Sequence, residues 1–315
     1  MISKEEAALY DRQIRLWGLD AQAKIKNIDV ILFGFQQTTC EIAKNLTLAG
    51  IKAIKIVDDS PFDADKSSQL FLVDKGDDQV EKVISELAVS RIQELNPLVS
   101  VEAYRENELP KLLKTVNLVI CAKPINEWTN VYKSIRENTS ANCSIIMVNS
   151  RGNQGCVFYD FNKLEFLKED THPLKEKNAS IPTTKMSIQY KSLLEINFEN
   201  MLNIAPIKRL PKAVLIFLVH KNLPIGSPDL ENLQLSWASL CEQHKLDENL
   251  ISKSQLENST CSTYPAVAAI LGGTIAQEVI LAVSAKSQAS GNWFFFDETC
   301  SGVQCWFPNT QPVLA

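Results

Sequence analysis

The chain has 315 residues, 45% of them hydrophobic and 22% charged, with a formal charge of -5. This is enough apolar material to bury a core in one large domain or two smaller ones, and the lack of a broad basic field makes nucleic acid and anionic membrane surfaces poor partners. The eight cysteines include no Cys-x-x-Cys pair, even between Cys300 and Cys305, which argues against a zinc ribbon or redox pair and for reduced, mostly buried thiols. The charged opening Lys4-Glu5-Glu6 and apolar stretches read as too short for a bilayer predict a soluble, non-secreted protein.

In chain order, residues 5–25 carry a helical pattern broken by Gly18, predicting two helices before the first strand. The β-branched run 29–34 ends in glycine, residues 41–49 are helical and closed by Gly50, and 51–57 return as a strand with Asp58 at its carboxyl end. This βαβ unit predicts the opening of a doubly wound, mainly parallel α/β sheet. A helix over 78–95 stops before Pro97, because the residue preceding proline avoids helical geometry. Strands are predicted at 99–103, 117–122 and 144–148. From 164 to 261 the alternation gives way to Lys, Glu, Asn and Ser, predicting a mixed α+β insertion between a Rossmann-like half (1–163) and a closing segment (262–315). The insertion is expected to hold a strand pair at 186–190 and 194–198, helices at 212–220 and 232–244, and a flexible stretch at 172–183. Pro265 opens a small-residue helix over 266–283, and the aromatic run 293–297 reads as a buried strand.

A dinucleotide site places Gly-x-Gly-x-x-Gly at the first strand-to-helix turn, where only glycine lets backbone amides approach a phosphate. Here the turn is Gly34-Phe35-Gln36-Gln37-Thr38-Thr39. One glycine remains, and Phe35 and Gln36 are expected to occupy phosphate space. Asp58 stands where a ribose-binding carboxylate belongs, with a solvated strand-end aspartate as the competing reading. Gly34 and Asp58 are thus vestigial cofactor-site residues, no metal-ligand set is expected, and this chain is expected to bind no cofactor. None of His172, His220 and His244 has a partnered Ser or Cys motif, and Cys241 and Cys261 are expected to pack.

The opening Tyr10-Asp11-Arg12-Gln13-Ile14-Arg15-Leu16-Trp17-Gly18 resembles the signature of ubiquitin-like-protein activating enzymes of the ThiF-type adenylation superfamily. Asn45-Leu46, Leu48-Ala49-Gly50, Gln69-Leu70-Phe71-Leu72, Glu94-Leu95-Asn96-Pro97, the helix starting Pro265-Ala266-Val267 and Asn292-Trp293-Phe294-Phe295-Phe296-Asp297 follow in the family's order. In length and in its end segments the chain is similar to the smaller, regulatory subunits of SUMO-activating heterodimers. The resemblance implies ATP-dependent adenylation of SUMO, followed by thioester formation on a cysteine. It also implies an obligate catalytic partner subunit that holds ATP, magnesium, SUMO and the nucleophile, and a nuclear location with the cytoplasm as a second compartment.

Where active members carry an Asn-x-x-Arg-Gln stretch, this chain has Asp65-Lys66-Ser67-Ser68-Gln69, so Ser68 replaces the phosphate-binding arginine. The resemblance implies that Arg12 acts in trans on the partner's phosphates, with Arg15 as a supporting residue. A surface ion pair with Asp11 or Glu6 is the competing reading for both. Trp17 is read as core or partner anchor, and Gly272 and Gly273 as close-packing positions against the sheet. An autonomous adenylating or sulfur-transfer enzyme, a regulatory subunit for another ubiquitin-like protein and, more distantly, a nicotinamide-dependent dehydrogenase remain alternatives.

Overall fold

The structure, a computed structural model, describes residues 2–63, 69–74, 82–169, 183–203, 206–224, 229–285, 289–297, 300–305 and 313–314. The chain enters through three short helices rather than two: α1 (Lys4–Leu9), α2 (Asp11–Trp17) and α3 (Leu19–Ile25). Tyr10 divides the first predicted helix, and Gly18 at φ +85° turns the chain into α3. Ser3 and Glu6 form a reciprocal capping box on α1.

β1 (Asp29–Phe33) is buried at every position, as befits a central parallel strand covered on both faces. It leads into α4 (Gln37–Ala49) and β2 (Ala53–Val57). α4 begins four residues before the predicted start. Its β-branched first turn is compensated by bonds: the Gln36 N–H donates to Thr39 Oγ1 at 2.6 Å and the Thr38 hydroxyl pairs with Ser150 at 2.6 Å. α5 (Ile84–Leu95) starts later than predicted, since Val83 is extended and bridges to Pro61. Asn96 is extended before Pro97, as the proline requires. There follow β3 (Ser100–Tyr104), α6 (Leu109–Leu112), β4 (Leu118–Cys121), α7 (Trp128–Asn138), β5 (Ser144–Arg151) and β6 (Gln154–Asp160).

β7 (Lys163–Glu169) and β8 (Thr183–Gln189) form an antiparallel hairpin with Phe166 opposite Met186. This corrects the predicted pairing: residues 193–195 and 198–203 are 3₁₀ turns. The stretch 170–182, which includes His172, lies outside the described residues. α8 (Lys212–Lys221), α9 (Leu230–His244), α10 (Lys253–Asn258) and α11 (Pro265–Ser284) precede β9 (Trp293–Asp297), β10 (Cys300–Cys305) and β11 (Val313–Leu314).

The eight-stranded sheet has the order β10-β9-β6-β5-β4-β1-β2-β3, parallel from β5 to β3 and antiparallel in β6, β9 and β10. One face packs against α4, α5 and α11 in a core that includes Ile42, Leu46, Leu87 and Leu271. The other packs against α7 and α8–α10, so residues from 212 to 258 share a core with β5, β6 and β9 through Phe217, Trp237, Phe158 and Trp293. α8 is buried from Ala213 to His220.

α11 corrects the reading of apolar length. Its 20 residues, which hold an 18-residue window of mean hydropathy 1.9, are long and apolar enough for a bilayer by length and composition. Its packing is nevertheless that of a protein-core helix. A Cβ on Gly272 would lie 2.4 Å from the Glu41 side chain on α4, and buried Glu278 accepts from the Ser290 N–H and hydroxyl at 2.6 and 2.7 Å. Gly272 thus packs on a helix rather than on the sheet. Gly273 has nothing within 4 Å of a built Cβ, so no described residue of this chain requires a glycine there.

Candidate functional site

Strand order reverses between β1 and β4, so the loops after β1, β4 and β5 gather at the carboxyl edge where open α/β sheets bind ligands. Gly34, at φ +90°, keeps the glycine conformation of a phosphate loop, and a Cβ there would sit 3.3 Å from the Ala122 carbonyl. Phe35 lines the crevice with Gln36 while also reaching into the core. Its side chain is 2% exposed and belongs to the core beneath α4. The next two residues fill the turn: Gln36 Nε2 donates to the Ala122 carbonyl at 2.7 Å, and the Gln37 amide donates to Gln69.

Asp58 is not a solvated strand end, since it is only 5% exposed. Its two oxygens accept from the backbone N–H of Phe35 at 2.5 Å and of Ser60 at 2.7 Å. The carboxylate that would read a ribose instead holds the chain's own loop. Lys123, at the end of β4, is held by Glu106 and lies over the Phe33 ring at 4.5 Å. The run 65–68, including Lys66 and Ser68, lies outside the described residues. A cavity of about 220 Å³ remains between Gln37, Gln69, Arg151, Cys261 and Thr263.

Arg151 was not singled out by the sequence. The only signal was one arginine ending the apolar run 145–148 at the carboxyl end of a parallel strand.

Arg12 and Arg15 sit at the other end of α4. Tyr10 is buried against Gly50 and accepts from Asn96 Nδ2 at 2.8 Å, while the same amide donates to the Thr47 carbonyl at 2.9 Å. Gln13 Nε2 donates to the Leu48 carbonyl at 3.2 Å. Trp17 donates to Gln22, which in turn donates to the Ala49 carbonyl at 2.9 Å, and the Trp17 ring packs on the core. The separate motifs around Tyr10, Gly50 and Asn96 therefore converge to fix α2 on the carboxyl end of α4. α4 has 13 residues, which separates α2 from Gly34 by roughly 20 Å at 1.5 Å per residue.

On this anchored helix Arg15 pairs with Asp11 at 2.9 Å in the open, and Glu6 pairs with Lys26. Arg12 is exposed and pairs with no described residue. One turn along lies Leu16, 73% exposed, with Leu9, Leu19 and Leu48 also exposed around the same junction. On α11, Ile270 is 44% exposed and Ala269 is also exposed, as is Tyr264 just before the helix.

Burial pushes the Cys121 thiol up to about 12 and those of Cys143 and Cys241 to about 11, and it raises Cys156 as well. None of these is poised as a thiolate. Cys261 is exposed, contrary to the expectation that it packs; the side chains of Cys300 and Cys305 lie outside the described set. His244 lies in the last turn of α9. His220 is buried beside Ser259 at 3.0 Å, and its pKa falls to about 4 through burial and then the charge of Arg151.

A SUMO-activating enzyme subunit 1 of Dictyostelium discoideum is 33% identical over 317 aligned residues, spanning 94% of this chain and 91% of its own length. One of Xenopus laevis is 31% identical and spans 96% of each chain. SUMO-activating enzyme subunit 1B-1 of Arabidopsis thaliana is 26% identical and spans 94% of each. Among solved structures, PaaA has a TM-score of 0.55 at 15% identity over 94% of this chain and 71% of its own, and Escherichia coli MccB 0.54 at 14% over 98% and 70%. The latter two establish the fold. The ThiF family matches residues 10–306, across both halves of the crevice and the anchored α2, and the chain belongs to the ThiF family.

Proposed function

We propose that this chain is the smaller subunit of a SUMO-activating enzyme, working as one half of a heterodimer whose partner carries ATP, magnesium, SUMO and the acceptor cysteine. The SUMO assignment is supported by full-length relatives named SUMO-activating enzyme subunit 1. One observation carries the mechanism: Arg12 is exposed, with no partner among the described residues, on a helix locked by Tyr10 and roughly a helix length from the chain's own crevice. A guanidinium placed there cannot serve Gly34 and Asp58. Beside exposed Leu16, it has the character of an interface arginine that enters a partner's site.

In this reading the chain's own crevice is not a working ATP site. Gln36, Gln37 and Asp58 are committed to the fold, and the cavity's volume is below the 300 Å³ or so at which pockets for drug-sized ligands begin. Arg12 supplies a planar, permanently charged donor to negative charge that develops on the partner's phosphates, where exclusion of water strengthens the interaction. Arg15, held by Asp11, supports the helix surface.

The test is pyrophosphate exchange by the reconstituted heterodimer at saturating ATP. Arg12→Ala is expected to lower the rate on the order of 10²-fold while gel filtration shows normal assembly, and Arg12→Lys to recover part of it. Wild-type exchange by Arg12→Ala would remove the trans role.

A further inference from the structure

The carbonyls of Thr47, Leu48 and Ala49 end α4, beyond the reach of the helix's own bonding, and each accepts from a side-chain amide. The donors come from three elements: Asn96 at the end of α5, Gln13 on α2 and Gln22 on α3. α2 joins this cap at three points. Tyr10 accepts from Asn96, Gln13 donates directly, and Trp17 donates to Gln22 at 3.1 Å. Positions 10, 13 and 17 run along one side of the helix, while Arg12 and Leu16 lie one turn apart on another. α2 has seven residues, none of them buried, and is far shorter than a helix that holds its shape alone. Its placement therefore depends on the cap.

Asn96 is the buried centre of that cap, and its whole amide is engaged. One N–H donates to the Tyr10 hydroxyl at 2.8 Å, the other to the Thr47 carbonyl at 2.9 Å, and Oδ1 accepts from the Leu98 N–H at 3.2 Å. Gln93 donates to the carbonyls of Asn96 at 3.3 Å and Val99 at 2.8 Å, so the turn that carries Asn96 is itself held. A primary amide of this length meets all three demands, whereas an ionised carboxylate has no donor and an aliphatic chain no polar atom. Tyr10 is the joint between α1 and α2, and its ring lies between Gly50 and Asn96. The joint sets where α2 starts, and Arg12 follows two residues later.

We propose that Asn96 is a positioning residue for Arg12: its amide seats Tyr10 on the end of α4 and so fixes the reach of the guanidinium into the partner's site. The inference rests on the trans role proposed for Arg12. Asn96 is buried, so its effect on the reaction passes through Tyr10 and α2. An unseated α2 still presents its arginine, but over a wider range of positions, and a misplacement of about 1 Å can cost on the order of 10²-fold in rate.

The experiment is ATP–pyrophosphate exchange by the reconstituted heterodimer, with gel filtration as the check of assembly. It compares Asn96→Ala, Tyr10→Phe, Arg12→Ala and each of the first two combined with Arg12→Ala. Asn96→Ala is expected to lower kcat at least about tenfold while the KM for ATP changes less than about twofold, the pattern of a contact made only in the transition state. The Asn96→Ala/Arg12→Ala pair is expected to exchange no slower than Arg12→Ala alone, because nothing is left to position. Tyr10→Phe keeps the ring against Gly50 and removes only the hydroxyl. It is expected to assemble normally and to slow exchange about threefold or more, again with no further loss beside Arg12→Ala. Should Asn96→Ala fail to assemble, Tyr10→Phe decides by the same criteria. Full-rate exchange by an assembled single variant at position 96 or 10, or losses that multiply with that of Arg12→Ala, would overturn the positioning role and leave the trans role of Arg12 standing. Full-rate exchange by Arg12→Ala would overturn both.

Discussion

Gly50 shows how one residue fixes the placement of another forty positions away. It closes α4 at φ +79°, and a Cβ there would lie 2.4 Å from the Tyr10 ring. Gly50→Ala therefore combines backbone strain with displacement of the anchor of α2, and is expected to cost about 3 kcal/mol, read as a lower urea midpoint. His220 makes the second residue-scale prediction. Its folded pKa of about 4 lies below the ordinary histidine value of 6.5, so the unfolded state binds the proton first as pH falls. The contribution of the neutral imidazole is complete above pH 6.5 and lost progressively down to about pH 4. The full span is about 3 kcal/mol at 1.36 kcal/mol per pH unit. His220→Gln should flatten the stability profile in that window, measured by denaturation at closely spaced pH values; an unchanged slope would show that other groups set it.

α11 carries two unlike faces. Gly272 permits contact with Glu41 on α4, whereas the outward side has exposed Ile270 and an unrestricted Gly273. A glycine inside a helix costs roughly 1 kcal/mol relative to alanine, so its presence on a face that needs no close approach within the chain fits a surface covered by another protein. Ile270→Asp is expected to leave the melting temperature of the isolated subunit within a few degrees and to break its co-elution with the catalytic partner. Normal co-elution would place the interface elsewhere.

What the sequence revealed also depended on the element. The parallel strands and α11 were legible because their apolar runs are bounded by Gly50, Pro97 and Pro265. β7 was missed because Leu164 and Phe166 alternate with charged residues, a period-two signal hidden by the polar composition. Its absence sent β8 to a false partner at 194–198. At the crevice the loss of glycines was readable, but the inward turn of Phe35 and the bonds holding Asp58 depend on contacts between distant segments.

At the scale of the molecule, one end of α4 carries the Gly34 turn with Gln36 bonded across it, and the other anchors α2, whose exposed Arg12 pairs with no described residue. The proposed function rests on that polarity: a subunit that completes a neighbour's site and leaves its own idle. The central claim is tested by ATP–pyrophosphate exchange with SUMO, measured on this chain alone, on the catalytic partner alone and on the two mixed. The account predicts no exchange by this chain and robust exchange only in the mixture. Robust exchange by this chain alone would contradict it.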